Sequence, residues 1–254
     1  MPRTFLVTLH YDGGQFAGWQ RQAEGRTVQA EIEQVLERIS GCPVRAHAAG
    51  RTDAGVHALG LGVSCTLPER WTAFTLRRAL NGLLPRDCWA AETREMRPEF
   101  HARRCATARR YRYQIGTEEA ARSPFRRRYE WALGEPLDRE SLNAAAQLLL
   151  GEHDFGAFSV RSSPRAHKRC RIAAAQWVER PDGCGQRFEI TADRFLHHMV
   201  RMLVGTMADI GLRRRALSDM SRLLELDPGF CTSPPAPPQG LFFVGADYPA
   251  EWFA

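Results

Sequence analysis

The chain has 254 residues, 44% of them apolar and 25% charged, a balance that excludes a disordered, collagenous or coiled-coil protein and fits one large domain or two medium ones. No apolar run approaches the roughly 18 residues a membrane span requires, and the opening MPRTFLVTLHYDGG carries no secretory signal pattern. The formal net charge of +6 favours a polyanionic partner.

In residues 4–10 apolar and polar side chains alternate, with Phe5, Val7 and Leu9 on one face, which predicts a strand. Residues 11–26, with four glycines, are a loop. Val28, Ile32, Val35, Leu36 and Ile39 recur at helical spacing over 28–39, behind a capping Thr27. Cys42-Pro43 stops that helix, and Val44 to Ala49 is expected to be a short strand. Residues 60–67 predict another strand, Thr72 to Leu84 a helix with Phe74, Leu76, Leu80 and Leu83 inward, and 88–97 a strand. The sum is β-α-β-β-α-β.

The second half repeats the rhythm. Residues 105–116 alternate as a strand, and Leu142 to Leu150 is a helix stopped by Gly151. Strands at 169–179 and 186–192 flank the turn signal Pro181-Asp182-Gly183. Helices follow at Phe195 to Ile210 and Ser218 to Leu226, then a Pro-rich loop and a last strand, Leu241 to Ala246. The expected fold is α+β: two ferredoxin-like halves, 1–102 and 103–254, joined into one extended, mostly antiparallel sheet with helices packed on it.

Seven scattered cysteines include no C-x-x-C pair, which argues against a zinc knuckle or a thioredoxin-like motif and for reduced thiols. Lysine and arginine together number 35, and Lys168 is the single lysine. Arginines cluster at 103–128, cations at 161–171, and a short block stands at Arg213, Arg214 and Arg215. Such stripes suit nucleic acid, although charge runs are also ordinary solvated surface.

The stretch with the most chemistry is Gly50-Arg51-Thr52-Asp53-Ala54-Gly55-Val56-His57. Small residues let a ligand approach the backbone. In extended chain Arg51 and Asp53 share a face, so the guanidinium can hold the carboxylate ionised for work as a nucleophile or base. A loop-stabilising ion pair has the same spacing. Tyr111 stands in Arg109-Arg110-Tyr111-Arg112-Tyr113, where aromatics alternate with cations as in single-strand binders, or as in a half-buried strand. On the predicted helix from Phe195, His197 and Arg201 lie four apart, off the stripe of Leu196, Val200, Leu203, Val204 and Met207.

These motifs resemble the tRNA pseudouridine synthase A family. The resemblance is carried by Tyr11-Asp12-Gly13, Gly18-Trp19-Gln20, the Asp53 stretch, Asn81-Gly82-Leu83-Leu84-Pro85, Phe100-His101-Ala102-Arg103, Ala108 to Tyr113, Asp154-Phe155, Phe195 to Arg201, Ala236-Pro237 and Gly240-Leu241. It implies a cytoplasmic enzyme that isomerises uridine to pseudouridine at positions 38, 39 and 40 of the tRNA anticodon stem-loop. It implies a homodimer, no membrane association, and no redox cofactor, nucleotide or metal. Asp53 resembles the catalytic aspartate, Arg51 the arginine that fills the space of the extruded base, Tyr111 the tyrosine stacked on the flipped uracil, and Arg201 the arginine paired with the aspartate. Gln20, His57, Arg109, Arg165 and Arg169 are the expected tRNA contacts. A catalytically silent RNA-binding module would share the basic stripes. An aspartate-based glycosidase would need a second acid, for which Asp12 is the nearest candidate.

Overall fold

A computed structural model describes residues 1–160 and 168–254. Among them are ten strands and five α-helices, an α+β chain with mostly antiparallel strand pairs. It divides into two compact units, Met1–Arg109 with Phe242–Ala254, and Arg110–Leu241.

In the first unit β1 (Arg3–Tyr11), α1 (Val28–Ser40), β2 (His47–Ala48), β3 (His57–Leu67), α2 (Ala73–Leu83) and β4 (Cys88–Met96) follow the expected β-α-β-β-α-β order. β1 lies between β3 and β4, antiparallel to both, with Val7 opposite Val63 and Thr93. The alternation of β1 puts Phe5, Val7 and Leu9 into the core, where Ile32 and Leu36 of α1 and Leu76 and Leu80 of α2 are also fully buried. Thr27 caps α1 by accepting from the Ala30 N–H at 3.4 Å.

Three local expectations need correction. The strand expected over Val44 to Ala49 shrinks to His47–Ala48, and β3 begins three residues early, at His57. Phe74 and Leu83 do not point inward: Phe74 is 62% exposed and Leu83 is also exposed. At about 100° per residue, Phe74 lies some 160° around the helix from Leu76, while Leu83 shares the buried face but sits on the last, open turn. Leu80→Ala should therefore cost about 2–5 kcal/mol. Phe74→Ala should stay within about 0.5 kcal/mol. Denaturant midpoints of the two variants check the contrast.

The first unit also takes chain from far along the sequence. In the last strand, β10 (Leu241–Asp247), Phe242 and Phe243 pair in parallel with His57 and Ala58. Residues 103–109 belong to this unit as well, so the compact units run differently from the chain-order halves 1–102 and 103–254.

The second unit carries β5 (Ala108–Gly116), β6 (Trp131–Ala132), α3 (Arg139–Gln147), β7 (Gly151–Asp154), β8 (Arg169–Glu179), β9 (Gln186–Ala192), α4 (Met199–Gly211) and α5 (Ser218–Leu224). Its strands lie in the order β5, β9, β8, β7, with β6 parallel beside β5. α3 starts three residues before the expected Leu142, because the Asp138 carboxylate caps it, accepting from the N–H groups of Glu140 at 3.1 Å and Ser141 at 3.4 Å. Its Asn143 side chain bonds the Trp177 backbone in both directions, at 2.8 and 3.0 Å, and so fixes the helix on β8.

α4 differs more. It begins at Met199 instead of Phe195, because His198 takes a left-handed backbone, φ 63°. His197 is thus outside the helix, and the expected i,i+4 relation to Arg201 does not form. The core stripe Val200, Leu203, Val204 and Met207 is buried as expected. The block at 213–215 is neutralised locally: Arg213 meets Asp138, Arg214 meets Glu135 and Arg215 meets Asp219.

Candidate active site

In the first unit the chain leaves β2, passes through 49–56 and re-enters the sheet at His57. The stretch is anchored residue by residue. Ala49 N–H donates to Gly62 at 2.8 Å, and Trp19 N–H donates to the Thr52 carbonyl at 3.1 Å. The Tyr11 and Thr52 hydroxyls are bonded at 2.8 Å, Gly55 N–H donates to Phe16 at 3.2 Å, and Val56 N–H closes a turn on the Asp53 carbonyl at 3.2 Å.

The loop over 11–19 therefore forms a floor under Asp53. Two glycines make the approach possible. A Cβ on Gly13 would sit 2.0 Å from the Val56 carbonyl oxygen, and one on Gly18, φ +97°, would sit 2.7 Å from that of Thr52. With Thr52 buried against this floor, its neighbours turn outward: Asp53 is half-buried and Arg51 exposed. Among the described residues Arg51 makes no hydrogen bond or ion pair, so the expected Arg51–Asp53 pair does not form.

His57 ends the loop as a buried ring, stacked on Phe242 at 4.9 Å with an interplanar angle of 22°. Its Nδ1 accepts from the Gly13 N–H at 3.0 Å. Asp12 Oδ1 lies 3.2 Å from the same nitrogen. The Asp12 carboxylate also accepts from the Gly14 N–H at 2.9 Å. Asp12 thus builds the loop. Gln20 is half-buried beside the buried Trp19.

Arg109 is not a loose cation. Its Nε donates to the Ala49 carbonyl at 3.2 Å, one terminal nitrogen to Ala106 at 2.8 Å, and the other to Arg103. It ties the entry of the Asp53 loop to 103–106. Lysine keeps the charge but replaces the planar fork, whose three nitrogens each reach a different carbonyl, with a single nitrogen. Arg109→Lys should then lower turnover at saturating substrate by about ten- to a hundredfold, with KM little changed. A phosphate contact would give the opposite pattern: a tolerated Arg109→Lys, and an Arg109→Ala that reduces the salt slope of binding by about 1. Steady-state kinetics and a salt series separate the two.

In the second unit Tyr111 is 8% exposed, its ring edge-on to Phe195 at 5.0 Å. Tyr113 is fully buried and donates its hydroxyl to the Pro237 carbonyl at 2.7 Å; burial holds that phenol protonated well above the usual range. Arg201 grips the same segment: its Nε donates to the Ala236 carbonyl at 2.7 Å, and the Ala236 N–H donates to the Arg201 carbonyl at 2.9 Å. Arg169 is exposed and paired with Glu152 at 2.8 Å. Arg165 lies outside the described residues. Arg112 is half-buried, 3.8 Å from Glu189, and burial, then the neighbouring Arg187, pull its guanidinium below the usual range; Arg103, Arg104 and Arg110 are exposed.

Arg51, Asp53, His57, Gln20 and Arg109 are thus gathered in the first unit, and Tyr111, Arg169 and Arg201 belong to the second. Sequence reasoning missed the supports. Phe242 behind His57 and Thr52 under Tyr11 come from distant segments with no local pattern. His101, stacked on His47 at 4.5 Å and pulled below the ordinary imidazole range by burial and by that neighbour, had a signal, since it stands in the Phe100–Arg103 motif.

The chain is α+β with Asp53 on a braced loop, and the family model described as tRNA pseudouridine synthase, a class of isomerases, matches residues 8–103 and 145–249. The chain belongs to the tRNA pseudouridine synthase A family. The tRNA pseudouridine synthase A of Moorella thermoacetica is 40% identical over 244 residues, covering 95% of this chain and 98% of its own. That of Cereibacter sphaeroides (strain ATCC 17029 / ATH 2.4.9) is 38% identical over 257 residues, with both chains fully covered. That of Methylobacterium sp. (strain 4-46) is 41% identical over 254 residues, covering 98% of each.

Proposed function

We propose that the chain converts uridine to pseudouridine at positions 38, 39 and 40 in the anticodon stem-loop of tRNA, with Asp53 as the nucleophile or base. The observation that carries this reading is the half-buried Asp53 on a loop fixed by backbone and hydroxyl bonds, within a chain of this family. The C1′–N1 bond breaks, the uracil turns, and a C5–C1′ bond forms. The C5 proton leaves and N1 gains one, so no atom is lost and no redox step is needed.

The base must leave the stack before a side chain reaches its glycosidic carbon. Arg51, exposed and uncommitted among the described residues, then fills the vacated space. Tyr111 lies against the flipped uracil, and Arg201 pairs with Asp53. Gln20, Arg165 and Arg169 serve tRNA binding, whereas His57 and Arg109 hold the loop that presents Asp53. The half 1–102 carries the catalytic loop, and 103–254 carries Tyr111 and Arg201. The enzyme works as a cytoplasmic homodimer without a metal. Among the described residues no helix is long and apolar enough to cross a membrane.

The test is incubation with unmodified tRNA followed by carbodiimide mapping of pseudouridine. New stops at 38–40 are expected. Pseudouridine elsewhere in the tRNA would overturn the site assignment, and none at all would leave a silent RNA-binding module.

A further inference from the structure

The segment 118–130 lies outside both stretches matched by the family model, 8–103 and 145–249. It is a rigid knuckle. Ser123 N–H donates to Ala120 at 3.1 Å, Arg126 and Arg127 N–H donate to Ser123 at 3.0 and 2.9 Å, and Tyr129 N–H donates to Arg126 at 2.8 Å. Gln114 Nε2 donates to the Tyr129 carbonyl at 3.0 Å. The inward arginine, Arg126, is paired with Glu118 and with Glu130, 2.9 Å from its Nε, and buried Glu130 is paired with Arg180 too. The acids flanking the knuckle are thus spent on its base, apart from exposed Glu119.

What faces outward is apolar and cationic. Phe125 is 89% exposed and Tyr129 38%. The Arg128 guanidinium carbon lies 5.7 Å from the Tyr129 ring centre. Arg122 and Arg127 are exposed and, among the described residues, make no ion pair. A bare phenyl ring amid guanidinium groups is the pairing that single-stranded nucleic acid recognises, a base on the ring and phosphates on the cations.

We propose that this knuckle is a second RNA contact, in which Phe125 stacks on an unpaired base of the tRNA while Arg127 and Arg128 hold the flanking phosphates. It rests on the reading of the chain as a tRNA enzyme and adds a surface to it. A second copy of the chain fits less well where the two-fold axis passes through the patch, since the same guanidinium groups then face each other.

The test uses full-length tRNA transcript, filter binding across a salt series, sedimentation and single-turnover rates at saturating tRNA. Phe125→Ala should weaken binding about tenfold, and Phe125→Trp should bind like wild type. Arg127→Gln should reduce the slope of log K against log salt by about 1. All three should keep the saturating rate and the oligomeric state. Unchanged affinity in Phe125→Ala, in a wild type that binds and modifies tRNA, overturns the contact and leaves the enzyme reading intact. Dissociation of the protein by Phe125→Ala overturns it in favour of a subunit interface. A wild type that neither binds nor modifies tRNA defeats the enzyme reading itself.

Discussion

Asp53→Asn is expected to abolish pseudouridine formation, a fall of at least about a thousandfold in single-turnover rate, while tRNA affinity stays within about twofold. The amide keeps the size of the side chain and loses the charge that a nucleophile or base requires. The substitution leaves the loop's anchors in place: the Tyr11–Thr52 hydroxyl pair, the Trp19 and Gly55 amides and the Val56 turn all bond backbone or neighbours of Asp53. A variant within tenfold of wild-type activity would remove Asp53 from the chemistry.

Tyr111 separates ring from hydroxyl. Tyr111→Phe should bind tRNA like wild type and turn over far more slowly, by about a hundredfold or more, if the hydroxyl helps move the C5 proton. Tyr111→Ala should lose both rate and affinity, with about 1–3 kcal/mol of stacking gone. The 8% exposure of Tyr111 and its edge contact with Phe195 add a packing cost to Tyr111→Ala, so its melting curve must be read beside its binding. A wild-type rate in Tyr111→Phe would leave the residue as packing or as a stacking platform alone.

Where a single period governed the residues, the fold was legible. β1, α1, β8 and β9 follow the expected alternation or helical spacing closely, because each buries one regular face. Apolar spacing alone does not place Phe74, whose angle around α2 turns it away from Leu76, and no pattern announces the positive φ of His198 that delays the start of α4. The Asp53 loop stood out by its small residues and motif. Its rigidity did not, since the bonds come from 11–19 and from Phe242, segments joined to it only in three dimensions. Charge stripes were the least informative, as the pairing of Arg213, Arg214 and Arg215 with three acids shows.

The return of Phe242–Ala254 to the first unit bears on how the protein is made. A ribosome delivers β1 to β4 early, yet the parallel partner of β3, which supplies the ring beneath His57, emerges only after the whole second unit. The nascent first unit must wait with the flank of β3 beside His57 unpaired, while the second unit, continuous in sequence, can mature as it appears. Closure then depends on one of the longest sequence separations in the chain, a slow event by loop entropy. The site is completed last, so a released chain truncated after residue 241 should hold a formed second unit and an unfinished catalytic loop.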